Sequence, residues 1–249
     1  MDQKIDRKKI VEIKGLSKKY KKANKYAIEG INVDCYAGEI VGLLGKNGAG
    51  KSTTIKCLTG FFPFENGKVK ICDYDIKKNP IDAKKNLGYV PDNRAMFEKM
   101  TGIEYINFIA DLHKTPLEER ETRLKEMQDV FKLGDKINDV ISSYSHGMKQ
   151  KVCLMASLIH NPKLWLLDEP LTGLDPQTSK ALHTYMNKYK AEGNAVLYSS
   201  HNLDAIEKTC DRAYIIDNGK IVGDINIAEF IKNNPGKSLE SVFIEGFNK

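Results

Sequence analysis

Gly45-Lys46-Asn47-Gly48-Ala49-Gly50-Lys51-Ser52 fits the pattern G-x-x-x-x-G-K-[ST]. Residues 39–44 before it form a short apolar run, as a buried strand would. Lys51–Leu58 after it reads as a helix. Strand, glycine-rich turn and helix are the context this pattern needs. The glycines let successive backbone N–H groups converge on phosphate oxygens. The helix presents its positive N-terminus to the same anion. Lys51 then neutralises the β- and γ-phosphates, and the Ser52 hydroxyl is placed to ligate Mg²⁺. Gly45, Asn47, Gly48, Ala49, Gly50, Lys51, Ser52 and Thr53 are therefore candidate nucleotide-binding residues. The competing reading is a glycine-rich turn that binds nothing.

A second apolar run, residues 164–167, ends in Asp168-Glu169. Open α/β sheets bind ligands at the carboxyl edge of their strands. There Asp168 is a candidate Mg²⁺ ligand, and Glu169 a candidate base for the water that attacks a γ-phosphate. Taken alone, the pair is an ordinary strand end. Further strands are expected at residues 10–13, 27–36, 67–72, 87–90, 195–199 and 213–216, with an Asn218-Gly219 turn. Helices are expected at 117–133, 149–159, Pro176–Ala191 and Leu203–Thr209, with Ile103, Ile106, Ile109 and Ala110 sharing one face of another. Ser238 is expected to cap a short helix carrying Leu239, Val242 and Phe243 on one face. Alternating strands and helices imply an α/β fold with a mainly parallel sheet. The helical stretch in the middle reads as an insertion.

The 249 residues include 39 Lys+Arg and 33 Asp+Glu, a formal charge of +6. Residues 1–25 hold ten basic side chains against three acidic ones, so the rest carries a net −1. A basic arm suits nucleic acid or an anionic membrane surface, or is a solvated, lysine-rich edge strand. Only 5 of the basic residues are Arg, which disfavours reading of bases. The −1 remainder offers no general surface for nucleic acid. The arm is therefore expected to be a solvated edge near the nucleotide entrance. The five cysteines and five histidines show no disulfide or metal-ligand spacing. Mean hydropathy is −0.44, and no apolar run approaches the ~20 residues of a spanning helix. A polar N-terminus gives no sign of secretion.

Ser145-His146-Gly147-Met148-Lys149-Gln150 resembles the L-S-G-G-Q signature of the ATP-binding subunits of ABC transporters. Residues 171–175, Leu-Thr-Gly-Leu-Asp, are similar to that family's D-loop and end in Asp175. His201 resembles its switch histidine, and Tyr20 its adenine-stacking aromatic. Three departures stand out. Asn93 takes the place of the usual Q-loop Gln, His146 replaces the first signature Gly, and Met148 replaces the signature Gln.

The resemblance implies an ABC-type P-loop ATPase with an N-terminal antiparallel β subdomain and an inserted α-helical subdomain. It implies one domain over residues 1–249. Within it, 1–100 and 161–225 are the ATP-binding core, 101–160 the helical subdomain with the signature, and 226–249 a helical tail. ATP and Mg²⁺ are the implied cofactors, with Glu169, His201 and Lys51 catalytic and Ser52, Asn93 and Asp168 on the metal. Tyr20 stacks on adenine. Ser145 and Gly147 bind the γ-phosphate held by a second subunit, identical or related, so that two ATP molecules are sandwiched. Hydrolysis reopens the pair and drives a transmembrane permease from the cytoplasmic face of the membrane. The Tyr-Ser-His-Gly-Met signature is similar to the branch that exports drugs, antibiotic peptides or lipids. A soluble ABC-type ATPase, or a P-loop kinase or switch protein, is the alternative.

Overall fold

The computed structural model describes residues 7–21, 23–93 and 96–241. Its strands are β1 (Lys9–Lys19), β2 (Tyr26–Tyr36), β3 (Ile40–Leu44), β4 (Asn66–Ile71), β5 (Tyr74–Asp75), β6 (Leu87–Val90), β7 (Leu164–Asp168), β8 (Ala195–Ser200), β9 (Arg212–Asp217) and β10 (Lys220–Asn226). Two sheets result. One is antiparallel, in the order β2-β1-β4-β5. The other, β10-β9-β3-β8-β7-β6, is parallel except for the β9–β10 hairpin. The eight α-helices among the described residues are α1 (Lys51–Leu58), α2 (Pro80–Lys85), α3 (Gly102–Leu112), α4 (Leu117–Phe131), α5 (His146–Leu158), α6 (Pro176–Ala191), α7 (Leu203–Thr209) and α8 (Ile227–Asn233).

β3, β7 and β8 are buried along their whole length. That is why they read as apolar runs: both faces of a parallel sheet are covered. Successive residues of β7 enter two different cores. Leu164 and Leu166 join the one shared with the antiparallel sheet and α1. Trp165 and Leu167 join the one beneath α3 to α8. Trp165 is fully buried, edge-on to Tyr185 and Tyr189, and donates its indole N–H to Ser157 Oγ at 2.9 Å. α3 to α5 lie between β6 and β7 in the chain, where the sequence indicates an insertion.

β1 corrects one expectation. It lies between β2 and β4, so the basic arm is not an edge strand. Lys18 is buried and pairs with Glu65 at 3.1 Å, while Lys9 reaches Asp34 at 2.9 Å. These lysines serve strand pairing. The arm's Lys4 and Lys22 lie outside the described residues, as do Val242 and Phe243. Ser238 does cap a final turn: its Oγ accepts from the Ser241 N–H at 3.1 Å, and Leu239 is buried. α2 was not foreseen, and α8 falls within the expected helical tail, residues 226–249, though with no expected bounds of its own. Each buries one residue, Ala83 or Ile227, too little to imprint a helical period.

Arg212 of β9 stitches the two sheets together. Its guanidinium donates to Glu39 Oε1 at 2.8 Å, to the Asp34 carbonyl at 2.7 Å and to the Tyr214 hydroxyl at 2.8 Å. Removing one partner of such a pair strands the other charge away from water. Arg212→Met is therefore expected to cost about 3 kcal/mol of stability. Urea titration followed by circular dichroism checks this, and an unchanged midpoint would contradict it.

Candidate functional site

The parallel register brings the expected residues to one edge. Leu44 pairs with Ser200, and Asp168 with Ser199. β8 lies between β3 and β7, so the chain leaving β8 at His201 emerges between the glycine-rich loop and Glu169. Val90 of β6 pairs with Leu167, which brings the next turn to the same edge.

A cleft opens there, lined by Tyr20, Ala27, Lys46, Asn47, Gly48, Gly50, Lys51, Ser52, Thr53, Asp92 and Glu169. Its floor is an anion cradle. A Cβ at Gly45 would overlap the Ile216 carbonyl oxygen, and one at Gly50 would lie 2.7 Å from Ile28 Cγ2 with φ at +116°. Both positions exclude every residue but glycine. Ser145, Asp175 and Asn202 cap α5, α6 and α7 with their side chains, but α1 follows Gly50 and has no side-chain cap. Its first-turn amides, with the positive end of the helix dipole, are left for an outside acceptor. Ala49 is buried behind the loop. Lys51, 6% exposed, donates to the Gly45 carbonyl at 2.6 Å and stands 3.5 Å from Glu169 Oε1.

Glu169 sits in the left-handed region, φ +48°, which strains a residue with a Cβ. The Ser199 hydroxyl and carbonyl oxygens accept its N–H, at 3.2 and 3.3 Å. Its carboxylate is 3.0 Å from His201 Nδ1 through either oxygen. Asp168 lies behind it, 2% exposed, accepting from Ser199 Oγ at 2.5 Å. Burial pushes its carboxyl above the usual range, and the charges of Asp92 and Glu169 add to that. Tyr20 is exposed and lines the cleft. Its hydroxyl shares a 3.0 Å hydrogen bond with Thr53 Oγ1, and Phe62 meets it edge-on at 5.8 Å.

Asn93, Ser145, Gly147 and Asp175 do not line this cleft, nor do Gly45, Ala49, Asp168 and His201, which adjoin residues that do. Asn93 is exposed and does not line it, whereas the neighbouring Asp92 does. Alternation along β6 could not settle which of the two does so. Ser145 and Gly147 stand elsewhere, at the exposed N-terminus of α5. Asp175 lies beyond it too. Its carboxylate caps α6, accepting from Thr178 N–H at 2.9 Å and Thr178 Oγ1 at 2.6 Å, which holds its pKa below the usual range. Asp92 and Ser199 escaped the sequence reading. The only trace was a polar residue just past, or at the end of, an apolar strand.

A phosphate-shaped cradle with a buried lysine and strand-end carboxylates, on a mainly parallel sheet flanked by an antiparallel one, defines a P-loop ATPase of the ABC type. The chain belongs to the ABC transporter family as an ATP-binding subunit, and the family model described as "ABC transporter" matches residues 28–172. This is a family of ATP-hydrolysing proteins. The chain is 31% identical to the linearmycin resistance ATP-binding protein LnrL of Bacillus subtilis, over 96% of this chain and 76% of that one. It is 32% identical to human ATP-binding cassette sub-family A member 2, over 85% of this chain and 9% of that much longer one. The solved structure of an ATP-binding subunit of an ABC transporter superposes with a TM-score of 0.89 at 32% identity, covering 95% of this chain and 98% of that one.

Two outcomes follow from the geometry. Lys51→Ala is expected to abolish tight ATP binding, measured by titration calorimetry; unchanged affinity would contradict the cradle. Asp168 has a folded pKa above its unfolded one, so its ionised form destabilises the fold at neutral pH, and protonation relieves this as pH falls through the carboxylate range. Asp168→Asn keeps an acceptor for Ser199. It is expected to raise the neutral-pH Tm of the nucleotide-free chain, by about 2–4 °C per kcal/mol relieved. That gain is expected to vanish in acid, and a Tm that falls at neutral pH would overturn the assignment.

Proposed function

We propose that this chain powers movement of a substrate across a membrane through a separate transmembrane partner, using ATP-driven pairing and hydrolysis-driven reopening. The observation that carries this reading is the division of the site. Lys51, Ser52, Asp168, Glu169 and His201 gather at one strand edge, while the Ser145–Gly147 turn that resembles the signature lies outside the cleft. A second copy, or a related chain, would supply that turn across the interface. The site is then complete only in the pair.

Within each site Tyr20 stacks on the base. The loop amides and Lys51, released from the Gly45 carbonyl, take the phosphates. Ser52, Asp92 and Asp168 supply hard oxygen donors of the kind Mg²⁺ prefers, and the charge cluster around Asp168 fits such a cation. When bound, Mg²⁺ neutralises phosphate charge. Glu169 takes the proton of the attacking water, and His201, within hydrogen-bond reach of that carboxylate, holds it in place. ATP contacts both halves and stabilises the closed pair. Cleavage removes those contacts, and the pair reopens.

The chain acts as one domain. Its helical stretch, residues 101–160, and the turn after β6 face the membrane partner, from the cytoplasmic side. No helix among the described residues is long and apolar enough to cross a membrane. The likeness to LnrL supports export of a drug, antibiotic peptide or lipid.

Glu169→Gln is expected to bind MgATP and elute as a dimer in size-exclusion chromatography, with hydrolysis reduced at least about 100-fold. A monomer that hydrolyses normally would overturn both the sandwich and the base. Ser145→Arg is expected to keep ATP binding to the monomer and lose hydrolysis; full turnover would remove the signature from the site.

A further inference from the structure

The loop from Pro170 to Asp175 is gripped by the helix that begins at the signature. Gln150 of α5 is fully buried, and its Nε2 donates to the Pro170 carbonyl at 2.8 Å. Its Oε1 is buried without a hydrogen-bond partner. A lone buried acceptor destabilises a fold, and a Met or Leu of similar size would avoid that cost. The side chain therefore fits the loop through its donor.

One helical turn earlier, on the same face, stands His146. Its imidazole fills the notch over Gly173, where an added Cβ would overlap His146 Cδ2 and lie 2.7 Å from Nε2. Gly147 closes in beside it, its ideal Cβ 3.2 Å from the Gly173 carbonyl oxygen. The loop itself is two tight turns, Thr172 N–H to the Glu169 carbonyl at 3.3 Å and Leu174 N–H to the Leu171 carbonyl at 3.1 Å. It starts at the strained Glu169 and ends where Asp175 caps α6.

We propose that His146 and Gln150 are positioning residues that clamp the Pro170–Asp175 loop to the first turns of α5, so that the signature and the backbone following Glu169 move as one body. The clamp belongs to the single chain. Its catalytic consequence rests on the function proposed above: the turn that meets the partner's nucleotide would set the backbone on which this chain's own Glu169 stands. His146, a departure from the family's glycine, then makes the link tighter here.

Gly193 provides the control. It has φ +81°, almost that of Gly173, but open space around its missing Cβ. Gly193→Ala reports backbone strain alone, and Gly173→Ala reports strain plus overlap with His146. Gly173→Ala is expected to lower Tm further than Gly193→Ala, and His146→Gly in the Gly173→Ala background is expected to erase the difference. Equal losses, or no rescue, would overturn the His146 contact. For Gln150→Met, amide exchange across residues 171–174 of the nucleotide-free monomer is expected to rise about tenfold. In turnover, kcat is expected to fall about tenfold with KM within about twofold. Unchanged exchange, or a loss in KM alone, would overturn the clamp. The Tm and exchange arms need no turnover. They decide the clamp even if the wild-type chain proves unable to hydrolyse ATP, a result that would sink the proposed function instead.

Discussion

The site depends on one constraint, the parallel register of β3, β8, β7 and β6. Parallel strands end at a common edge, so whatever follows each strand is delivered to the same place. The glycine-rich loop follows β3, His201 follows β8, Glu169 follows β7 and Asp92 follows β6. Because β8 pairs with both β3 and β7, His201 reaches the Glu169 carboxylate without any long side chain. A different strand order would keep every motif and scatter the chemistry.

The fold holds that edge in a costly state. Lys51 and Asp168 are buried, Asp168 sits among like charges, Glu169 is in a left-handed conformation, and α1 has no cap. Each is a local loss that surrounding structure must offset. The offset is visible. Ser199 bonds both Asp168 and Glu169 at that edge, while cores on both sides of the sheet and Arg212 at its opposite end add stability from a distance. An uncapped helix and a like-charge cluster are also what a bound polyanion with its cation would relieve.

Much of the fold was legible because its signals are strong and local. The helices at Lys51–Leu58, Pro176–Ala191 and Leu203–Thr209 coincide with the expected bounds, since each starts just after a glycine, at a proline or after an asparagine cap and shows a clear apolar face. Signals failed where position depended on other segments. The lysines of residues 9–19 look solvent-seeking, yet their strand lies inside a sheet, because Glu65 and Asp34 on neighbouring segments take up the charge. Asp92 and Asn93 are both polar, both exposed and both follow β6, yet only Asp92 lines the cleft.

What the sequence determined by itself was the chemistry available: a loop only glycines can make, a lysine beside it, and carboxylates ending a buried strand. These rest on backbone conformation and residue type, which are properties of neighbours along the chain. The tertiary structure decided which groups meet. It set Glu169 between Lys51 and His201, held the signature turn apart from the cleft, and locked that turn to the Pro170–Asp175 loop through His146 and Gln150. Such encounters are made by strand order and helix packing between residues distant in the chain, and no local pattern encodes them.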